Sequence, residues 1–343
     1  MRIKNTTKQL LPQGKILLVD VDSSIPNLVL MKLSTHYKNK GHKVELKRLG
    51  CSGIPLSKKK KFLLDNSKYS KIFISIIFTP NKEVIQLAKP ELNNYEFGGT
   101  GYDLYVKLPK EIDDCEEDYS IYPDNDCSYG FITRGCIRQC PFCFVWKKEG
   151  MIYKYREIDQ VVKHNKVKFM DNNILAFPKC NEILQELIDK KIRCQFNQGI
   201  DLRLLDDKKA KLLSKLNYWG EFFFAFDNIK LEKVLDKKIK IFKKYVPKNW
   251  KSRFFVYCNA DEPTKDVVRR IEWCKKNKAL VYLMRDKNCW KSINSSFYKD
   301  LTGYCQAVGV YKTRTFLEYI KRKAKMDRKM VSYKLYAEGM LSI

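Results

Sequence analysis

The chain has 343 residues, 44% of them hydrophobic, with 67 Lys and Arg against 39 Asp and Glu for a formal charge of +28. That is length for two domains and apolar material for packed cores, which excludes a disordered chain and a small disulfide-stapled scaffold. No stretch approaches the run of about 18 apolar residues that a membrane span needs. Twelve cysteines are diluted over this length with no secretory pattern at the start, so reduced thiols in the cytoplasm are expected. The charge has two readings of equal weight. Lys and Arg that neutralise phosphates gain affinity by releasing counterions, which points to nucleic acid. Compositional drift is the other: Lys outnumbers Arg, Asn, Ile and Tyr abound, and basic residues such as Lys58 and Lys61 belong to no motif.

In chain order, KILLVDVD (15–22) reads as a buried strand and residues 28–40 as a helix with Leu30, Leu33 and Tyr37 at helical spacing, stopped by Gly41. KVELKRL (43–49) alternates as a second strand, and KIFISIIF (71–78) is an apolar run expected as a central one. NKEVIQLAK (81–89) is expected as a helix and FGGTGYDL (97–104) as a turn or short strand. Strands of near-continuous apolar character separated by helices predict a doubly wound parallel sheet over residues 1–107. Gly98, Gly99 and Gly101 lack a strand-to-helix phosphate loop, so they read as a turn. Residues 108–127 are acidic, bounded by Pro and expected as a linker, with Cys115 incidental among carboxylates.

SYGFITR (128–134) then reads as a strand running into RGCIRQCPFCFV, in which Cys136, Cys140 and Cys143 are spaced C-x3-C-x2-C. Thiols this close in such a chain hold something rather than pair with each other. Three thiolates satisfy three irons of a four-iron cluster and leave the fourth iron open. Phe142, Phe144 and Val145 are placed to shield the sulfurs. The plain alternatives are a structural zinc site missing a ligand, or three unrelated core cysteines. With the flanking Gly135, these residues resemble the radical S-adenosylmethionine (radical SAM) superfamily.

Beyond the motif, strands and helices alternate: KFMDNNILA, a helix over 180–190, RCQFNQGIDLRLL, the helix DDKKAKLLSKL, EFFFAFDN, the helix LEKVLDKKIKIFKKY, RFFVYCNADEP, the helix TKDVVRRIEWCKKN and ALVYLMRDKN. Six repeats are what the resemblance implies, a partial (β/α)6 barrel of TIM type over residues 128–290. In such barrels the working residues stand at the C-terminal strand ends. Those ends carry Asp171, Asn172 and Asn173, then Asn197, Gln198, Asp201 and Arg203. Asp227 and Asn228, Asn259 and Asp261, and Arg285 and Asp286 follow. Each is also an ordinary loop or helix cap. As a set they form a polar ring. The resemblance implies that Asp171, Asn172 and Asn173 meet the methionine part of S-adenosylmethionine, that Asp227 and Asn259 meet its ribose and adenine, and that Arg203 pairs its carboxylate. Phe142 and Gln198 complete the cofactor-binding set.

The fold expected at the N-terminus resembles the cobalamin-binding-type domain that precedes the barrel in one radical SAM class. That class places a histidine after the first strand, where this chain has DVDSSIPNL, and His36, His42 and His164 lie elsewhere. Cobalamin is therefore not expected. A second cysteine triad, as in tRNA methylthiolation, is also missing, since Cys51, Cys115 and Cys127 are dispersed.

Residues 291–343 are expected as a helical extension, with a helix over 301–319, a basic end over 321–329, and Tyr319 and Tyr333 near it. The resemblance implies reductive cleavage of S-adenosylmethionine at a [4Fe-4S] cluster, a 5′-deoxyadenosyl radical, and a reducing partner such as flavodoxin or ferredoxin. Charge puts tRNA or another nucleic acid first among substrates, ahead of a peptide or small metabolite. A non-enzymatic iron–sulfur protein that binds nucleic acid is the remaining class, and it lacks a visible fourth ligand.

Overall fold

The computed structural model describes residues 14–51 and 61–326, together with 332, 335, 336 and 339. Most of the lysine run at 58–61, the end of the basic segment and Tyr333 lie outside the described residues. The chain divides into two compact units, Met1–Tyr129 and Gly130–Ile343.

The first unit holds β1 (Lys15–Asp20), α1 (Leu28–Asn39), β2 (Lys43–Arg48), β3 (Phe62–Leu64), β4 (Lys71–Ser75), β5 (Ile85–Leu87), β6 (Tyr95–Gly98) and the short α2 (Lys110–Asp113). Its main sheet is parallel, in the order β2-β1-β4-β6. The central strands are apolar on both faces because both faces are covered. Leu17, Val19, Ile72 and Ile74 pack on one side; Ile16, Leu18 and Phe73 pack with Leu30 and Leu33 of α1 on the other. Asn27 starts α1 by accepting from Leu30 N, and its amide donates to Ser75 Oγ at 2.8 Å.

Residues 81–89 do not form the expected helix. After one turn at Thr79–Asn81 the chain extends, and β5 pairs in parallel with β3. Val84 and Ile85 are β-branched, Val84 is buried in the core, and Pro90 bars continuation of a helix. Gly99 turns at φ +95°, and a Cβ there would stand 2.3 Å from Ile76 O, so the glycine run is a turn pressed on the end of β4. The acidic stretch read as a linker lies against α1. Ile112 is buried, Lys32 Nζ donates to Asp113 at 2.7 Å, Ser34 Oγ to Asp118 at 2.6 Å, and Tyr122 OH to Asp20 at 2.9 Å.

The second unit begins within β7 (Ser128–Gly130) and continues with β8 (Thr133–Arg134), α3 (Val145–Glu149), β9 (Tyr153–Lys154), α4 (Ile158–Val161), β10 (Lys166–Phe169), α5 (Cys180–Asp189), β11 (Arg193–Phe196), α6 (Asp207–Lys215) and β12 (Asn217–Tyr218). Then come β13 (Phe222–Ala225), α7 (Glu232–Tyr245), β14 (Ser252–Cys258), α8 (Thr264–Lys276), β15 (Leu280–Arg285), α9 (Ser295–Gln306), α10 (Val308–Thr313) and α11 (Phe316–Met326). The expected alternation is present, but the strands do not close into one barrel sheet. They form two sheets, β12-β11-β10-β7 and β13-β14-β15. The two-residue β12 takes the edge of β11 that β13 would need, and the sheets meet through Ile200 N donating to Phe223 O at 2.7 Å.

The single strand expected over 128–134 is split, because the Asp171 carboxylate takes the amides of Ile132 and Thr133. The helix expected over 301–319 is three helices. Tyr304 OH captures the carbonyl of Arg314, and Thr315 with Glu318 caps the start of the next helix. No described helix is long and apolar enough to cross a membrane.

Candidate metal centre

The cysteine loop is closed at its base before any metal enters. Gly135 sits at φ +81°, and a Cβ there would stand 2.3 Å from Met151 O, so only glycine lets the two ends of the loop come together. Cys136 N donates to Gly150 O across that base at 3.1 Å. Glu149 locks it: its carboxylate accepts from Arg134 Nη2 at 2.5 Å, Gly135 N at 2.9 Å and Asn172 Nδ2 at 2.7 Å. Burial opposes ionisation of Glu149, but the hydrogen bond and charge of Arg134, with Gly135 and Asn172, hold its carboxyl below the usual range. Gly135→Ala is expected to cost at least about 1–2 kcal/mol from the left-handed backbone alone. The clash adds to that, and the variant should retain less iron after reconstitution. Wild-type iron content and melting temperature in the Gly135→Ala protein would show the base to be adaptable.

Cys136, Cys140 and Cys143 are free thiols, each half-buried. Cys136 Sγ accepts from Arg138 N at 3.3 Å and from Asn173 Nδ2 at 3.6 Å. Burial raises the Cys140 thiol, and Asp227 adds to the effect; burial also raises Cys143, against a hydrogen bond from the Val145 amide. The three thiols act on one another electrostatically. Among the described residues, no three His, Cys, Asp or Glu side chains converge as the ligands of one metal ion would. A four-iron cluster takes each thiolate on a different iron, so its ligands need no common point. A single zinc needs every sulfur within about 2.3 Å. The donor set of soft sulfurs with N–H donors aimed at Cys136 and Cys143 fits the cluster.

A second polar group holds the loop from the side of β11. Asp201 accepts from Arg138 Nε, inside the cysteine motif, at 2.9 Å, and from Arg203 Nε and Nη2 at 2.6 and 3.0 Å. Burial opposes ionisation of Asp201, yet the two guanidiniums, Arg203 foremost, keep its carboxyl low. Arg203 and Asp227 act on the Cys140 thiol with opposite sign, Asp227 the more strongly. Asp227, after β13, is half-buried; burial pushes its carboxyl up to about 6, against the Tyr257 amide, Arg270 and Arg203.

The other sequence-derived candidates are placed less uniformly. Asp171 is buried, and Ile132 N, Thr133 N and Thr133 Oγ1 consume its carboxylate; burial pushes it up to about 6. It pins β8 rather than facing open space. Asn172 serves Glu149, whereas Asn173 reaches Cys136 and leaves its buried Oδ1 without a hydrogen-bond partner. Asn197 is half-buried and Gln198 exposed. Asn228 and Asn259 cap turns by accepting from Lys230 N and Asp261 N, and Asp261 is exposed. Phe142, expected beside the sulfurs, is part-exposed on the cysteine loop. It stacks on Tyr257 with ring centres 4.0 Å apart, and Tyr257 OH donates to Asp286 at 2.8 Å. Arg285 lies over the ring of Trp290. Sequence reasoning missed Arg134, Arg138, Glu149 and Tyr257. Only Arg138, lying between two of the cysteines, carried a signal.

No family model and no curated protein matches the chain in sequence. Solved structures of the radical S-adenosylmethionine methyltransferase TsrM from Kitasatospora setae match it in fold. One, with tryptophan substrate and the S-adenosylmethionine analogue aza-SAM bound, gives a TM-score of 0.55 at 12% identity, covering 79% of this chain and 72% of that one. Another, with cobalamin and a [4Fe-4S] cluster bound, gives 0.53 at 11% identity over the same shares. The matched share exceeds what the second unit alone can supply, so the likeness in α/β fold extends into the first.

Proposed function

We propose that this chain is a radical SAM enzyme, binding a [4Fe-4S] cluster at Cys136, Cys140 and Cys143 and S-adenosylmethionine beside it. The single observation that carries the reading is the cysteine loop itself. Three half-buried thiols are held in a loop closed by Glu149, with N–H donors on the sulfurs and the ends of β10, β11 and β13 around it. When bound, such a cluster would supply an open iron and pass on an electron from an external reductant, the chemistry of reductive S-adenosylmethionine cleavage to a hydrogen-abstracting 5′-deoxyadenosyl radical.

The residues of the chain bind and orient. The guanidiniums of Arg138 and Arg203, oriented by Asp201, suit the carboxylate of S-adenosylmethionine, although Arg203 already spends two donors on Asp201. Asn173 offers its unpartnered amide oxygen, and Asp227 a half-buried carboxyl. Flavodoxin or ferredoxin would serve as reductant. A nucleic acid is the first substrate class, from charge; a peptide or small metabolite is the alternative.

Cobalamin is not part of the reading. The Asp22 carboxylate after β1 is spent on Ile77 N, Phe78 N and Asn81 Nδ2, and His42 stands by Gly14. Reconstituted, dithionite-reduced protein should form 5′-deoxyadenosine from S-adenosylmethionine and, prepared with cobalamin, should show no corrinoid absorbance. Failure to cleave S-adenosylmethionine with the cluster loaded would sink the enzyme reading.

A further inference from the structure

The loop that leaves β15, RDKNCWKSI (285–293), combines features that neither the cluster nor the core requires. Trp290 is 60% exposed and Ile293 87% exposed, an unusual outlay of large apolar surface in one short segment. The Arg285 guanidinium lies 3.9 Å from the centre of the Trp290 ring, so one face of the indole is held by a cation. Lys287 and Lys291, both exposed, add two more positive charges. The one acidic residue, Asp286, is turned to its own loop and to Tyr257: its carboxylate accepts from Asn288 N and Tyr257 OH, both at 2.8 Å.

The loop is built rather than loose. Residues Lys287–Trp290 form a helical turn capped by Asp286, and the buried Cys289 thiol donates to Cys258 O at 3.4 Å. An exposed indole on such a base loses little entropy when a ring stacks on it. The loop is also tied to the candidate site. Asp286 holds Tyr257, and Tyr257 stacks on Phe142 of the cysteine loop.

We infer that this loop is a binding platform for single-stranded nucleic acid: an unpaired base stacks on Trp290 and the adjoining phosphates meet Arg285, Lys287 and Lys291. An aromatic face interleaved with cations is how single strands are held without base-specific hydrogen bonds. The complementary charge is present, three cations against the single carboxylate of Asp286, in a chain of +28. An acidic peptide would satisfy the cations but leave the indole without a planar partner. Such a platform gives the proposed enzyme a substrate class, and it rests on that proposal for the chemistry alone.

The test uses the full-length, cluster-loaded protein and a short fluorescein-labelled single-stranded RNA, with anisotropy read at two salt concentrations. Trp290→Ala should weaken binding about 5- to 150-fold, the worth of one base stack, and leave the salt slope unchanged. Trp290→Tyr should restore most of the affinity. Arg285→Ala with Lys287→Ala should flatten the slope by about 0.7 for each phosphate no longer neutralised. Wild-type affinity in Trp290→Ala, or displacement of the RNA by an equal charge of poly-glutamate, would overturn the inference. Formation of 5′-deoxyadenosine by the wild-type protein without RNA is scored separately. Its loss would strike the enzyme reading, while the anisotropy alone decides the platform.

Discussion

Single replacement of Cys136, Cys140 or Cys143 by Ala should abolish iron and labile sulfide retention, and with them any cleavage of S-adenosylmethionine. The thiolate is the ligand, and three are the fewest that can hold a four-iron cluster with one iron open. The effect should be all or nothing because the loop offers no substitute. Glu149 is committed to Arg134 and Asn172, and Asp201 to Arg138 and Arg203; the remaining acid that acts on the thiols, Asp227, offers carboxylate oxygen where the cluster takes thiolate sulfur. Replacement of Cys180, Cys194, Cys258, Cys274, Cys289 or Cys305 should leave iron near wild type. These six are buried, and burial raises their thiols, that of Cys194 to about 12, so they behave as small apolar core residues. Iron and sulfide analysis after anaerobic reconstitution, with the electron paramagnetic resonance signal of the reduced cluster, distinguishes the two groups. Full loading of a Cys140→Ala protein would remove the assignment.

Arg270→Ala should destabilise the second unit by about 3–5 kcal/mol, the cost of removing one partner from a buried ion pair. Arg270 is fully buried in α8. One end of its guanidinium donates to Phe226 O at 2.7 Å and Tyr257 O at 2.9 Å, the other to Glu262 Oε2 at 2.5 Å. It therefore ties together the C-terminal ends of β13 and β14, from which Asp227 and Tyr257 project toward the cysteine loop. Removing it strands two carbonyls in the core and leaves the half-buried Glu262 carboxylate without its cation. A double replacement, Arg270→Met with Glu262→Gln, should recover part of the loss because no buried charge then remains unpaired. The shift in urea midpoint, at constant slope, measures both. A loss below about 1 kcal/mol for Arg270→Ala would mean that water or a side-chain shift replaces the guanidinium.

The sequence by itself determined the order of most elements and the position of the cysteine triad. Periodicity and apolar runs are local, so α1, β1, β4 and the strand–helix alternation after Ser128 are legible one segment at a time. The spacing of Cys136, Cys140 and Cys143 is local too, and so is Gly135. Where local preference was weak, the reading failed: residues 81–89 carry enough polar residues to pass for a helix, and the available edge of β3 drew Ile85–Leu87 into a strand.

Only the tertiary structure decided what the polar residues at the strand ends do. Asp171, Asn172 and Asn173 are adjacent in sequence, yet one pins β8, one serves Glu149 and one touches Cys136. Successive side chains leave the backbone in different directions, and the partner each one meets comes from a distant segment. The same holds for Asp201, whose two guanidiniums come from the cysteine motif and from its own turn, and for Phe142, whose ring finds Tyr257 more than a hundred residues away. A carboxylate or an aromatic ring is defined chemically by the sequence. Whether it is free to bind depends on which long-range neighbour has already satisfied it, and only the folded chain brings those neighbours together.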